Sequence, residues 1–428
     1  MTDKQLSTKP YKGVRDFYPQ DWMFQKWMFW KMKDVCERFG YENYNASPLE
    51  ASELYEAKSG QEIVQNETYN LTDRGDRRVT IRPEMTPTVA RMVADQVREL
   101  PKPIRWYSIP NLFRYERPQR GRLREHYQLN VDIFGSDSIQ ADIEVIQIGA
   151  EIMKSFGAQD NDFKIVINNR KIIQALFNSY TTDKDTIYQL SKIIDKKNKL
   201  SADEFSDTLS ELLGRDTGAF INTLENITLD STSEFADTED IETTQQLIST
   251  LQKLGINNIV FDITLMRGFD YYTDIVFEFF DTDTKNNRSL FGGGRYNDLL
   301  DIFNMEKIPA VGFGMGDVTA RDFLETHGLM PNLQSHTQVY VGCLSEETLS
   351  GAQELASQLR AADINVELDF SFRKYEKMIN SADKKMIPYF IAVGENEVDF
   401  SAYSMKNIIT GEVHENLSVA PIIEILSK

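Results

Sequence analysis

From residue 21 to 39 the apolar positions Met23, Trp27, Trp30, Val35 and Phe39 recur at roughly helical spacing, and Gly40 follows where a helix closes through a left-handed residue. The pattern predicts a helix that faces the core or a partner copy. Tyr41 to Leu49 reads as extended, ending at Ser47-Pro48. Val79 to Ile81 predicts a short strand running into Arg82-Pro83-Glu84. Thr86 to Leu100 predicts a helix, with Thr86 as N-cap and Pro87 at its first position.

Between Ile104 and Phe134 the period changes to two. Ile104 to Glu116 reads as one strand and His126 to Phe134 as a second. In the second, Tyr127, Leu129, Val131 and Ile133 share one face, while Gln128, Asn130 and Asp132 share the other. On the first, Arg114 and Glu116 fall on one face. The connection, RPQRGRLRE, is polar, rich in arginine and centred on Gly121, as a long hairpin loop would be. A polar sheet face of this kind is either a pocket floor or a solvated surface.

Residues 183 to 250 are polar, with weak apolar stripes such as Ile187, Leu190, Ile193 and Ile194, and predict a helical insertion. Strand character returns from Val260 through FDITLMRGFDYYTDIVFEFF. Gly292-Gly293-Gly294-Arg295 and AVGFGMGDVTARDFLE follow, a glycine-punctuated strand leading into a helix. These glycine runs match no phosphate-loop or dinucleotide pattern; on form alone they are weak signs of close backbone approach. Thr326 to Thr337 holds Gly328, Pro331 and little apolar character, so it reads as a linker. Beyond it QVYVGCL, VELDF and YFIAV alternate with helical stretches at about 346–362 and 373–386, the pattern of a small α/β domain with a largely parallel sheet.

A length of 428 residues suits two to three domains, and 41% hydrophobic with 26% charged residues excludes a wholly disordered chain. No apolar run approaches a membrane span, and the polar opening MTDKQLSTKPYKG carries no secretory signal, so the expected compartment is the cytoplasm, away from membranes. Cys36 and Cys343 stand far apart without a Cys-x-x-Cys pair, which disfavours a disulfide framework and a structural zinc site. The net charge of −19 argues against a nonspecific nucleic-acid coat. Its distribution changes the picture. Residues 201–250 hold twelve acids and one base, Arg215, whereas 113–126 hold five arginines, at 114, 117, 120, 122 and 124, against Glu116 and Glu125. A local basic patch on an acidic protein suits a bound polyanion.

Taken in order, six segments resemble the histidyl-tRNA synthetases, a family of class II aminoacyl-tRNA synthetases, over nearly the whole chain. KGVRDFYP resembles that family's opening, and YENYNASPLE its first motif, whose proline, here Pro48, would lie at a dimer interface. FRYERPQRGRLREHYQLNVDIFG resembles the second motif, and LMRGFDYYTDIVFEF the histidine-specific signature. LFGGGRYNDLL with AVGFGMG resembles the approach to the third motif, and VELDFSFRKYEKMINSADKKMIPYFIAVGENE the anticodon-binding domain. The resemblance implies an α+β fold. An antiparallel-sheet catalytic domain would span 1–325, with a helical insertion at about 180–250. A linker at 326–337 and a C-terminal α/β anticodon-binding domain at 338–428 would follow. It also implies a homodimer that uses ATP, Mg2+, L-histidine and tRNA(His).

The implied activity has two steps. Histidine carboxylate attacks the α-phosphate of ATP, giving the adenylate and pyrophosphate. The terminal ribose of tRNA then takes the histidyl group and AMP leaves. The first step brings two anions together at phosphorus, so fixed cations matter more than covalent groups. Arginine suits this, with a planar donor fork that stays charged. By resemblance, Arg114 and Arg267 are the catalytic cations at the α-phosphate. Glu84, Thr86, Gln128, Asp132, Tyr271 and Tyr272 would bind histidine together with them. Arg114, Glu116, Arg122 and His126 would bind ATP. Adjacent strand residues face opposite ways, so only one of Tyr271 and Tyr272 needs to touch the ring. Lys192, Lys196, Lys197 and Lys199 of the insertion would face the acceptor stem. No metal ligand is assigned.

Two positions depart from the family. His126 stands where an aromatic usually stacks on adenine, and an imidazole can still stack. The third motif, normally Gly-x-Glu-Arg, reads Gly316-Asp317-Val318-Thr319, so Thr319 replaces the arginine expected at adenine and the γ-phosphate. Arg321 is two residues on. In a helix beginning near Gly316 it would point about 200° away from Thr319. The expectation is therefore a helix that begins later and lets Arg321 reach the nucleotide; the alternative leaves that charge to Arg122 and magnesium. The altered motif also fits a different class, the synthetase-like regulatory subunit of ATP phosphoribosyltransferase. That paralogue generally lacks RGFDYYT and the C-terminal domain, which favours the ligase. RGFDYY also weighs against a class II synthetase for another amino acid. If Arg267 stabilises charge at the α-phosphate, Arg267→Ala lowers the adenylation rate by about 10²-fold and histidine affinity less. Near-normal ATP–pyrophosphate exchange in the variant would remove Arg267 from the mechanism.

Overall fold

The protein is described here by a computed structural model covering residues 6–57, 67–197, 200–214, 217–266, 272–286 and 289–427. It forms two compact units, one ending at Met330 and one beginning at Pro331.

The first unit is built on a nine-stranded sheet. Its main path runs Glu42–Asn43, Ile104–Ser108, Glu125–Phe134, Ala310–Gly316, Ser289–Arg295, Ile275–Asp281, Phe163–Asn169 and Ile259–Phe261; Asn111–Phe113 pairs separately with Glu125–Phe134. The six inner strands pair antiparallel, and only the two outermost pairings are parallel. One face is apolar. Phe277, Phe279, Phe291 and Phe313 interlock there, with Phe279 and Phe291 stacked at 4.2 Å. The helix Ile139–Ser155, capped by Ser138, lies over these strands and is buried along most of its length.

The first helix, Pro19–Arg38, ends as its sequence predicts. Gly40 adopts φ 79°, and the Gly40 and Tyr41 amides donate to the Glu37 and Cys36 carbonyls. That reciprocal pair satisfies carbonyls the helix end leaves open. Two other expectations are corrected. The helix after Arg82-Pro83-Glu84 spans Thr86–Gln96, with Met85 at the cap, so Thr86 is the first helical residue and not the N-cap. The expected strand from Ile104 to Glu116 breaks after Ser108: Pro110, with no N–H to give, interrupts it, and only Asn111–Phe113 resumes pairing. Arg114 and Glu116 therefore sit in the loop, although the Arg114 amide still donates to the Arg124 carbonyl at 2.9 Å.

The insertion is helical, with Lys184–Asp195, Ala202–Leu213, Gly218–Asn226 and Thr238–Lys253. Its apolar stripes, thin in sequence, converge with Ile172, Ile173, Leu176 and Phe177 of the Arg170–Tyr180 helix into a core of their own. The second unit carries a five-stranded sheet. Val366–Asp369, Val339–Cys343 and Tyr389–Val393 are parallel, and a hairpin, Tyr403–Asn407 with Val413–Leu417, continues it antiparallel. The hairpin had no clear period-2 signal; its outer strand is mostly exposed.

A buried ion pair ties sheet to helix in the first unit. Arg295, at the end of a central strand, meets Asp142 of the Ile139–Ser155 helix; both are buried, and the guanidinium also donates to the Ser136 and Ser138 carbonyls at 3.0 and 3.1 Å. Burial pushes the Asp142 carboxyl up, opposed by Arg295. Truncating one member of such a pair leaves an uncompensated buried charge. Asp142→Ala is expected to destabilise the first unit by roughly 3–5 kcal/mol in denaturant melts. A loss below about 1 kcal/mol would mean that water or other groups compensate Arg295.

Candidate active site

On the sheet face opposite the phenylalanines, the two central strands present glycine. Gly312, Gly314 and Gly316 alternate along one, and Gly292 and Gly294 along its neighbour. Cross-strand pairing makes rows. Asn130, Gly314, Gly292 and Glu278 form one row, and Asp132, Gly312, Gly294 and Val276 the next. The result is a trough floored by backbone and walled by side chains. Gly312 has no room for more: a Cβ there would lie 2.2 Å from Asp132 Oδ1 and 2.5 Å from the Val131 carbonyl. The close approach signalled by these glycines is therefore to polar side chains laid across the floor.

One end of the trough is a narrow cavity lined by Glu84, Thr86, Arg114, Gln128, Asn130, Asp132, Tyr272 and Tyr296. The alternation of the Glu125–Phe134 strand places Gln128, Asn130 and Asp132 on this one face, so the polar face is a pocket floor. Glu84 is brought in by buried Arg82, which donates to the Ala46 carbonyl at 2.7 Å and the Asn111 carbonyl at 3.1 Å. Thr86, not spent on capping, lines the same wall. Arg114 is fixed from the loop by Nε donating to the Pro83 carbonyl at 2.9 Å. The Tyr296 hydroxyl donates to Asp132. Burial pushes the Asp132 carboxyl up to about 7, with the Tyr296 hydrogen bond pulling the other way.

Arg114, Gln128 and Gly314 also line a second cavity, which continues past Glu116, Arg122, His126, Glu278 and Thr319. Arg122 Nη1 lies 3.3 Å from Glu116 Oε2. Burial, aided by the Arg114 and Arg15 charges, pushes the His126 imidazole down to about 3, so it is neutral and offers an uncharged ring. Arg124 of the same loop is committed to structure. It donates to the Glu116 carbonyl and the Tyr11 hydroxyl, and its guanidinium stacks 4.0 Å from the Tyr115 ring.

The expected late start of the third-motif helix is overturned. The helix spans Asp317–Thr326 and begins directly after Gly316. Asp317 holds it there. Its buried carboxylate accepts from Arg15 Nη2 and Gln25 Nε2, each at 2.8 Å, and from the Tyr127 amide at 2.9 Å. Arg321 consequently turns off the second cavity, with Nε donating to Glu325 at 2.8 Å and its guanidinium 5.2 Å from the Phe24 ring. Thr319 does line the cavity, its hydroxyl donating to the Leu290 carbonyl at 2.7 Å.

Of the sequence-predicted residues, Glu84, Thr86, Arg114, Gln128, Asp132 and Tyr272 come together in the first cavity, and Arg114, Glu116, Arg122 and His126 in the second. Arg267, Tyr271 and Lys199 lie outside the described residues. Lys192 sits over the Tyr188 ring and Lys197 beside Glu225. Tyr296, Glu278 and the Arg15–Asp317 contact went unread. Glu278 had a signal, a lone carboxylate inside the apolar run VFEFF; a tyrosine after a glycine strand had none.

A family model described as histidyl-tRNA synthetase matches residues 13–317, and one described as anticodon binding domain matches residues 338–428. A histidine–tRNA ligase of Leptospira biflexa is 41% identical over 414 residues, covering 95% of each chain. One from Haloarcula marismortui is 35% identical, covering 94% of each. A solved histidyl-tRNA synthetase from Nostoc sp. PCC 7120 shares the fold, with a TM-score of 0.84 at 24% identity over 99% of each chain. On the family match and the 41% identity, the chain belongs to the histidyl-tRNA synthetase family.

Proposed function

We propose that the chain is a histidine–tRNA ligase, which activates L-histidine with ATP and transfers it to tRNA(His). The observation that carries this is the position of Arg114, the one cation among the described residues that lines both of two adjoining cavities. The first cavity suits a small zwitterion with a polar ring: Glu84 is a partner for its ammonium, while Gln128, Asp132 and Tyr272 surround the side chain. The second suits a nucleotide: Glu116 accepts from an adenine amino group, the neutral His126 ring offers a face, and Arg122 faces the phosphates. A carboxylate and an α-phosphate meeting at Arg114 share one guanidinium fork, which offsets the charge that develops at phosphorus. Arg267 is assigned to the same phosphorus by sequence. Imidazole carries one donor and one acceptor, and a polar site of this kind rejects apolar isosteres strongly.

Among the described residues no group of three or more acidic, histidine or cysteine side chains converges on a metal site. Magnesium usually arrives on phosphates and takes one or two protein carboxylates. Glu278 in the nucleotide cavity fits that habit, and the ion would neutralise the triphosphate. No helix among the described residues is long and apolar enough to cross a membrane; we assign the chain to the cytoplasm and to a homodimer. The dimer reading rests on Tyr18, Trp30 and Leu49, large apolar side chains left exposed on the first unit. The regulatory-subunit reading gains nothing from the altered third motif, because the second unit matches an anticodon-binding model along its length. Purified protein with ATP, histidine and tRNA tests the function: charging with histidine is expected, and its absence with a folded enzyme refutes the ligase.

We set the domain boundary at 326–337. Removing residues 331–428 is expected to leave adenylate formation within about two-fold and to cut tRNA charging severely, because the second unit has its own core. Equal charging by the truncated chain would contradict this. A second outcome concerns pH. An ionised Asp132 accepts from the imidazole N–H, so histidine binds best above the Asp132 pKa. Tyr296→Phe removes the donor that lowers this pKa. The pH at which histidine affinity rises should move upward in the variant, read against the wild type because the substrate imidazole titrates in both. Superimposable profiles would show that Asp132 does not receive the ring.

A further inference from the structure

Beyond Thr319 the nucleotide cavity opens into a third chamber. Gly121, Ser289, Leu290 and Thr319 line both spaces, and Arg120, Lys285 and Asp322 line the chamber alone. We propose that this chamber holds the β- and γ-phosphates of ATP and the pyrophosphate they become, with Arg120 and Lys285 as the side chains that bind them. The proposal deepens the ligase reading and rests on it.

Three observations support it. The first is the order of the cavities. Arg114 joins the amino-acid cavity to the nucleotide cavity at one end, and Gly121 with Thr319 joins the nucleotide cavity to the chamber at the other. In adenylation a histidine carboxylate oxygen bonds to the α-phosphorus as the bond from that phosphorus to the bridging oxygen breaks. Pyrophosphate leaves with that oxygen and its electron pair. Attacking and leaving oxygens lie roughly in line, so the leaving group departs on the side away from the amino acid. The second is charge. A departing pyrophosphate carries several negative charges, and Arg122 already faces Glu116 at 3.3 Å. The chamber adds two cations against one carboxylate. Arg120 is 3.8 Å from Asp322, longer than a direct hydrogen bond, and 63% of its side chain is exposed, so it can exchange that partner for phosphate.

The third is the passage itself. Thr319 is short, and its hydroxyl is turned to the Leu290 carbonyl. Across from it Gly121, at φ 74°, contributes no side chain, and a Cβ there would sit 3.8 Å from Thr319 Cγ2. A long side chain at 319 would fill the opening. The threonine therefore leaves open a route to cations supplied from the second-motif loop and from the turn after the Ile275–Asp281 strand.

ATP–pyrophosphate exchange on the full-length protein tests this, using Arg120→Ala, Lys285→Ala and Lys285→Arg. Each alanine variant is expected to raise the KM for ATP and for pyrophosphate about ten-fold, the scale of one charge-assisted hydrogen bond. Binding of AMP and of histidine should change less than two-fold, since neither ligand reaches the chamber, and Lys285→Arg should recover most of the loss. Unchanged KM for pyrophosphate in both alanine variants, with an active wild type, overturns the chamber while leaving the ligase intact. An equal loss of AMP binding also overturns it, because the residues would then serve the fold of the nucleotide cavity. A wild type that exchanges no pyrophosphate in the presence of histidine and ATP overturns the ligase reading itself.

Discussion

Two neighbouring strands in the middle of a sheet that present glycine along most of one face set the terms for everything around them. A glycine costs a strand roughly 0.5–1 kcal/mol relative to alanine, in lost entropy and lost packing. Here Gly312, Gly314, Gly316, Gly292 and Gly294 incur that cost repeatedly along a single trough. The opposite face of the same strands carries Phe277, Phe279, Phe291 and Phe313, all buried. Each of those contributes about 1.5–3 kcal/mol by burial, so one face offsets what the other lacks. The division of labour explains why the trough can be shaped for ligands while the sheet remains the core of the unit. It also explains why the walls come from elsewhere, from the Arg82-Pro83-Glu84 turn, the arginine loop and Tyr296.

Burial then sorts the charges that meet in the trough. Groups that must stay ionised to handle phosphate are arginines, whose charge survives desolvation. Groups that meet the substrate as polar readers have their charge shifted by burial. His126 is driven far below the usual imidazole range, and Asp132 is lifted to the neighbourhood of neutral pH. The site thus combines permanent cations with polar readers that are only conditionally charged, a pairing that one dielectric environment produces without further devices.

Much of this was legible before the fold. The period-2 run from Tyr127 to Ile133 assigned Gln128, Asn130 and Asp132 to one face, because alternation is a local property of extended backbone. The strand-helix alternation after residue 337 likewise announced a separate unit. What stayed illegible depends on contacts between distant segments. Tyr296 reaches Asp132 only because a single later strand, Ala310–Gly316, separates their two strands in the sheet, and Arg295 meets Asp142 across a helix-sheet boundary. The start of the third-motif helix was misread for the same reason. Helical angles rightly turned Arg321 away from the Thr319 face for a helix starting after Gly316; the later start was expected only to bring a cation to the γ-phosphate, and the group that decides it is an arginine three hundred residues earlier. The glycine pattern fell between these cases: its spacing was plain, but its purpose needed the neighbouring strands.

The Asp317 junction has a consequence for how such a sequence can change. Arg15, Gln25 and the Tyr127 amide converge on one buried carboxylate, so residues 15, 25 and 317 form a single unit of inheritance though they lie at opposite ends of the catalytic unit. Loss of the carboxylate takes the shared acceptor from all three donors, loss of Arg15 takes the cation that balances it, and groups in one such network do not substitute independently. Drift at these positions is therefore expected to be concerted. A lineage that replaces the aspartate must replace the arginine with it, and in doing so it resets where the last helix begins and what its first turn offers to a nucleotide.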